Sequence, residues 1–278
     1  MNIRSLKRCF LVVLLFGIGL AACTSNQTNT EESTDNQEKE KSDVNEVWKD
    51  YFLGNILFED KAPQSEGSRI YHRLIPDPQS YIAAQARAVL HTLYWGPQDS
   101  IVSVNNLHYS LEDIDGISAK GGGNGEVTVF YSTRHVERSF ADKDSAKVDF
   151  ETRGVLYHEL THVYQLEPQG IGTYGTNKVF WAFIEGMADA VRVANGGFQG
   201  EADRPKGGNY DDGYRTTGYF LVWVRDHKDA DFLRKFNRTA LEVIPWSFEG
   251  AFKKIFGENC NVADLWKEYQ IAVGDLKE

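Results

Sequence analysis

His158-Glu159-Leu160-Thr161-His162 decides the reading of this chain. Residues four apart lie nearly above one another on a helix, so the two imidazoles can hold one Zn²⁺ between them. Glu159 sits one step round, where its carboxylate takes a proton from a water instead of ligating the metal. This is the H-E-x-x-H pattern of zinc hydrolases. It predicts an active-site helix from about Thr152 to Leu166, with Pro168 just beyond its end. A catalytic zinc needs a third protein ligand and leaves its fourth position open. The longer form H-E-x-x-H-x-x-G-x-x-H is absent, because Gln165 and Pro168 occupy its Gly and third His positions. The third ligand has to come from another element.

The run Phe180-Trp181-Ala182-Phe183-Ile184-Glu185-Gly186-Met187-Ala188-Asp189-Ala190-Val191 supplies a candidate. Glu185 and Asp189 share one face of an otherwise apolar helix, where acids are costly unless they are paired or bound to a metal. Gly186 and Ala188 are small enough to let this helix approach a neighbour closely. Glu185 is read as the third ligand, and Asp189 as the carboxylate that fixes the ring of one zinc-bound His.

Four blocks of this chain together resemble one family. They are Val155 to Gln165, Phe183 to Arg192, Gly208-Asn209-Tyr210-Asp211-Asp212-Gly213-Tyr214, and the C-terminal stretch through Phe256-Gly257 and Leu265-Trp266-Lys267-Glu268-Tyr269. In that order they are similar to the basic secretory protein family, assigned as zinc metallopeptidases, over roughly residues 70–272. The resemblance implies a zincin-like peptidase with a glutamate third ligand, since Glu-x-x-x-Asp is the spacing of thermolysin-like gluzincins. The chain departs from the family name in being acidic, and in carrying a lipid-attachment signal.

That signal lies at the N-terminus. Arg4, Lys7 and Arg8 form a positive region, Cys9 to Leu20 is a short apolar one, and Leu20-Ala21-Ala22-Cys23 resembles a bacterial lipobox. Residues 1–22 read as a signal peptide and Cys23 as the acylated residue. The protein is thereby expected outside the cytoplasm, anchored to the bilayer, on the outer membrane if the host is Gram-negative. Residues 23–46 read as a disordered tether. From Thr24 to Glu46 they hold no aromatic residue and one aliphatic, Val44, so nothing there can drive burial. Loss of the signal lowers Lys plus Arg from 30 to 27 against 40 acids, a net charge near −13. Such a charge excludes nucleic acid as a partner and adhesion of the protein surface to anionic lipid. Of three cysteines only Cys260 then remains free, so no intrachain disulfide forms.

Residues 47–278 read as one catalytic domain of α+β class, a small N-terminal sheet plus helices with a mainly helical C-terminal half. Pro78 after Asp77 opens a helix that reaches Trp95, and Ile101–Leu111 and Glu126–Ser132 read as strands. Asp115-Gly116 and the run Gly121 to Gly125 read as turns between them. Further helices are expected over Val179–Asn195, Tyr214–His227, Asp231–Leu241, Phe248–Phe256 and Val262–Val273, the last capped by Asn261. The strand Val127–Tyr131 is expected at the cleft edge, where an extended substrate would pair. His72, His91, His108, His135 and His227 stand at no metal-ligand spacing, and Asp203, Asp211 and Asp212 form no calcium loop.

The function expected is zinc-dependent hydrolysis of peptide bonds, with one Zn²⁺ per chain, in a monomer acting on a peptide or protein. Glu159 serves as general base, and Tyr214 as a donor to the developing oxyanion. The rivals are a non-catalytic lipid-anchored binding protein on the same scaffold, and a zinc amidase acting on cell-wall peptides. If Cys23 is the anchor, Cys23→Ala moves the protein from the membrane fraction into the aqueous one. A mutant that still sediments with membranes rules the lipobox out.

Overall fold

Half-buried and exposed residues alternate along Asn55–Asp60, the strand (β1) that opens the domain in the computed structural model, which describes residues 46–277. The signal region, Cys23 and the tether through residue 45 lie outside the described residues. Helices Glu66–Leu74 (α1) and Pro78–Leu93 (α2) come next. Asp77 caps α2 by accepting from Ser80 N, and Pro78 takes the first helical position. The chain returns as Asn106–Glu112 (β2), then makes a hairpin of Ser118–Gly123 (β3) and Glu126–Ser132 (β4). Thr133–Ser139 (α3) leads into the long helix Ser145–Tyr164 (α4). The remainder is helical: Lys178–Ala194 (α5), a 3-10 turn at Gly200–Ala202, Tyr214–His227 (α6), Phe232–Glu242 (α7), Phe248–Phe256 (α8) and Val262–Ala272 (α9). This is the α+β class.

The sheet order is β1-β2-β4-β3, with β1, β2 and β4 parallel and β3 antiparallel to β4. Leu107, Tyr109, Leu111, Val127, Val129 and Tyr131 are buried on its inner face. There α2 packs on β1, α4 packs on β3, and the two helices pack on each other. Tyrosine hydroxyls tie these layers to α4: Tyr131 meets Thr152 Oγ1 at 3.2 Å, Tyr81 donates to Asp149 at 2.7 Å, and Tyr94 donates to the Tyr164 carbonyl at 2.6 Å. Both ends of the helix that carries His158 and His162 are thus fixed to the sheet side. On the other side the fully buried Asn237 of α7 accepts from Leu166 N and donates to the Leu93 carbonyl.

Several boundaries and one topological expectation differ from the sequence reading. Helix α4 begins at Ser145, not Thr152, because the Asp144 side chain accepts from Ala146 N and Lys147 N and starts it two turns earlier. Strand β2 begins at Asn106, and Ile101–Val104 approach it as irregular chain. The glycine run is not one turn. Gly121–Gly123 belong to β3, held there by pairing with β4, and only Asn124-Gly125 turn, both at positive φ (54° and 83°) as a two-residue hairpin loop requires. Strand β4 is consequently interior, flanked by β2 and β3, so Val127–Tyr131 cannot form a cleft edge; β1 and β3 are the edge strands, and β3 is the one that lines the cleft. Strand β1 and helices α1 and α3 have no counterpart in the sequence reading.

Close approach of α5 to α6 sets where the site residues stand. A Cβ on Gly186 would lie 2.4 Å from Thr217 Cγ2, and one on Gly218 would lie 2.8 Å from Ala190 N and 2.9 Å from the Asp189 carbonyl carbon. Side-chain atoms can yield; the α5 backbone beside Asp189 cannot. Alanine at 218 regains up to about 1 kcal/mol of helix propensity, but overpacking against backbone costs about 1–3 kcal/mol. Gly218→Ala should therefore destabilise the domain, lowering Tm by several degrees in a thermal melt. An unchanged or raised Tm would mean the two helices have room to part.

Candidate metal centre

The i, i+4 spacing on α4 brings His158 and His162 Nε2 atoms to 3.0 Å from each other, and α5 delivers Glu185 to both. Glu185 Oε2 stands 3.3 Å from His158 Nε2 and 3.6 Å from His162 Nε2. One ligand atom from each of the three residues falls within 4.8 Å of the others, and no second such group occurs among the described residues. Tetrahedral Zn–N bonds of about 2.0–2.1 Å place ligand atoms roughly 3.3 Å apart, which is the spacing found here.

The neighbours of each ligand fix which atom faces the centre. Asp189, one turn along α5 from Glu185, meets His158 Nδ1 at 2.7 Å, accepts its proton, and leaves the Nε2 lone pair facing inward. Gln165 Nε2 lies 2.8 Å from His162 Nδ1 while Gln165 Oε1 is buried without a partner; turning the amide over puts the oxygen there to accept the Nδ1 proton, which does the same for the second ring. Two inward Nε2 atoms at 3.0 Å repel unless a proton or a metal cation lies between them. Glu185 Oε1 accepts a 2.6 Å hydrogen bond from the Tyr174 hydroxyl, while Glu185 Oε2 is buried with no hydrogen-bond donor. Such an atom fits a cation ligand. Two imidazoles and a carboxylate suit zinc better than the hard, all-oxygen cations.

Charge leads to the same conclusion. Glu159, Glu185 and Asp189 are only 6%, 4% and 4% exposed. Burial opposes protonation of His158, but the Asp189 and Glu185 carboxylates outweigh it and raise the ring to about 10. Burial likewise opposes ionisation of Glu185, and the two imidazoles outweigh it, holding the carboxyl well below the usual carboxylate range. The pocket thus stabilises positive charge at the point where the ligand atoms converge. Glu159 behaves differently. Burial pushes its carboxyl up, against the pull of the two His residues, and its Oε2 has no hydrogen-bond partner. A buried carboxylate with a raised proton affinity is suited to accept a proton rather than to stay permanently paired.

These groups line a cleft of about 450 Å³ together with Ser118, Ala119 and Lys120 of β3, Gln165, Glu167, Tyr174, Phe180, Ile184 and Tyr214. Tyr214 opens α6 after Gly213 and stands half exposed at the rim, its ring stacked 6.1 Å from His158 and edge-on to Trp181 at 5.4 Å. Its φ of 42° is the left-handed region, costly for a tyrosine and common where a site dictates the backbone.

The structure therefore gathers His158, Glu159, His162, Glu185, Asp189 and Tyr214 into one place, while Cys23 falls outside the described residues. Four contributors escaped the sequence reading. Gln165 carried a signal, three residues after His162 on the same helical face. Tyr174 lies in a loop and Ser118 and Lys120 on a glycine-rich strand, where local sequence says nothing of what they face. No curated protein and no solved structure matches this chain. Residues 55–269 match the family model described as peptidase of plants and bacteria, and the chain belongs to that family, the basic secretory proteins.

Proposed function

We propose that this protein is a zinc-dependent peptidase of zincin-like architecture. The observation that carries the reading is Glu159: a buried carboxylate whose Oε2 has no hydrogen-bond partner, beside a His158, His162 and Glu185 ligand group, in a chain of a peptidase family. A metal-stabilised binding module has no use for that carboxylate, which disfavours the non-catalytic alternative. The zinc amidase reading shares the site and differs only in substrate.

In this proposal His158, His162 and Glu185 hold Zn²⁺, with Asp189, Gln165 and Tyr174 orienting them. When bound, zinc supplies Lewis acidity to the scissile carbonyl and makes water a nucleophile near neutral pH. Glu159 Oε2 removes the proton of the attacking water and later delivers it to the leaving amine. Tyr214 donates its phenolic proton in a hydrogen bond to the oxygen that gains charge. An extended peptide lies along β3, whose outer backbone groups face no other strand, and receives main-chain hydrogen bonds there. In this reading an N-terminal signal and acylation of Cys23 would carry the activity outside the cytoplasm on a lipid anchor.

The ligand and the base separate experimentally. Glu185→Ala should lose zinc, as two imidazoles alone bind it weakly, whereas Glu159→Gln should keep one zinc per chain and lose about 10²–10⁴ of peptide hydrolysis. Metal analysis that found full zinc in Glu185→Ala would overturn the ligand set, and full activity in Glu159→Gln would overturn the base.

For Tyr214 the comparison is with Phe, which keeps the ring stacked on His158 and removes only the hydroxyl. A donor that strengthens in the transition state costs about 10²–10³ in kcat with KM little changed. A loss of only a few-fold would assign the ring a packing role alone.

A further inference from the structure

We propose that Lys120 makes the cleft selective for peptides bearing an acidic side chain next to the scissile bond. The inference rests on the peptidase reading of the cleft, and it begins from the sheet register. Lys120 pairs with Val129 and Ser118 with Tyr131, and both partners are buried on the inner face. Ala119 and Gly121 pair with Phe130 and Thr128 on the other face. In an antiparallel pair directly opposite residues project to the same side, so Lys120 and Ser118 point toward α4 and the ligand group. Both line the cleft with His158, Glu159 and Glu185.

The composition of the strand makes this lysine dominant. Its sequence is Ser-Ala-Lys-Gly-Gly-Gly, so Lys120 is the one long side chain that β3 presents to anything bound along it. It is half-buried and is the cleft's only lysine or arginine among the described residues. Several other lysines find carboxylates: Lys61 reaches Glu112 at 2.9 Å, Lys228 reaches Glu268 at 2.6 Å, and Lys235 reaches Asp229 at 2.6 Å. Lys120, like Lys143, Lys206 and Lys267, enters no ion pair among the described residues, but it alone of these lines the cleft. Its charge is left for a ligand.

A peptide paired antiparallel with β3 alternates its side chains between the two faces. Those directed to the inner face come beside Lys120, where a half-buried ion pair is screened less than one at the surface. An Asp or Glu there gains an ion pair; a Lys or Arg meets repulsion. Phe180 and Ile184 line the cleft from α5 and offer apolar contact to a neighbouring residue. Glu167 also lines the cleft and is exposed, so it can meet a basic residue, and the cleft offers opposite charges on two different elements. That polarity orients a peptide as well as selecting it.

The test uses the zinc-loaded full chain and three octapeptide series, identical except for Asp, Gln or Lys scanned through each position. At one position the wild type should cleave the Asp peptide with kcat/KM about tenfold or more above its Lys counterpart, and Lys120→Glu should reverse that order. Circular dichroism confirms that the variant is folded. A wild type without acidic preference, or a preference that survives in Lys120→Glu, overturns the proposal. Binding of the same peptides to Glu159→Gln, read by fluorescence anisotropy, separates the two readings. If no peptide is cleaved but the Asp peptide binds in a Lys120-dependent way, the peptidase reading falls and the Lys120 assignment stands. Failure of the Asp peptide to bind better than the Lys peptide sinks the assignment by itself.

Discussion

Three buried carboxylates share one small volume with two imidazoles, and the rest of this structure follows from compensating them. An ionised carboxylate away from water is unfavourable by several kcal/mol unless opposite charge or donors meet it. Glu159, Glu185 and Asp189 are each nearly inaccessible, yet Glu159 Oε2 and Glu185 Oε2 find no hydrogen-bond partner within the protein. A divalent cation at the convergence of His158, His162 and Glu185 would remove most of that deficit. The metal would thereby serve stability as well as chemistry, because the same carboxylates that would activate water would destabilise the empty interior.

This requirement explains the close packing around the centre. Glu185 and Asp189 must reach α4 from α5 with little slack, and α6 must bring Tyr214 to the same point. The glycines at 186 and 218 let α5 and α6 approach until backbone nearly touches backbone. At the other side, tyrosines 81, 94 and 131 pin α4 to α2 and the sheet at its first, middle and last turns. The helix carrying both histidines is therefore held between two rigid layers, and ligand geometry is set before any ligand arrives.

The sheet contributes an edge rather than a core. Its three parallel strands and their inner-face aromatics build the hydrophobic layer, and the antiparallel β3 is added outside them, beside α4. An unpaired edge is ordinarily a liability for aggregation. Here it borders the cleft, is six residues long, and ends in three glycines that leave its backbone uncovered by side chains.

Local sequence determined what depends on one helix alone. His158 and His162 share a face because helical geometry is periodic, and the acids at 185 and 189 share one for the same reason. Caps at Asp77 and Asn261 act within a single turn, so the starts of α2 and α9 were legible; the cap at Asp144 was equally local and marks the start of α4 that was read too late. The apolar periodicity also gave α6 and α8 their bounds. What only the tertiary structure decided is which elements meet. The glycines at 121–123 have little strand propensity of their own and are extended because β4 pairs with them, which in turn makes β4 interior and β3 the edge. Tyr174 reaches Glu185 across a loop whose path no short-range pattern encodes, and Lys120 faces the cleft only through its register with Val129. The division is physical: capping and periodicity are set within a few residues, whereas strand order and the partner of a buried acid are set by contacts between residues far apart in the chain.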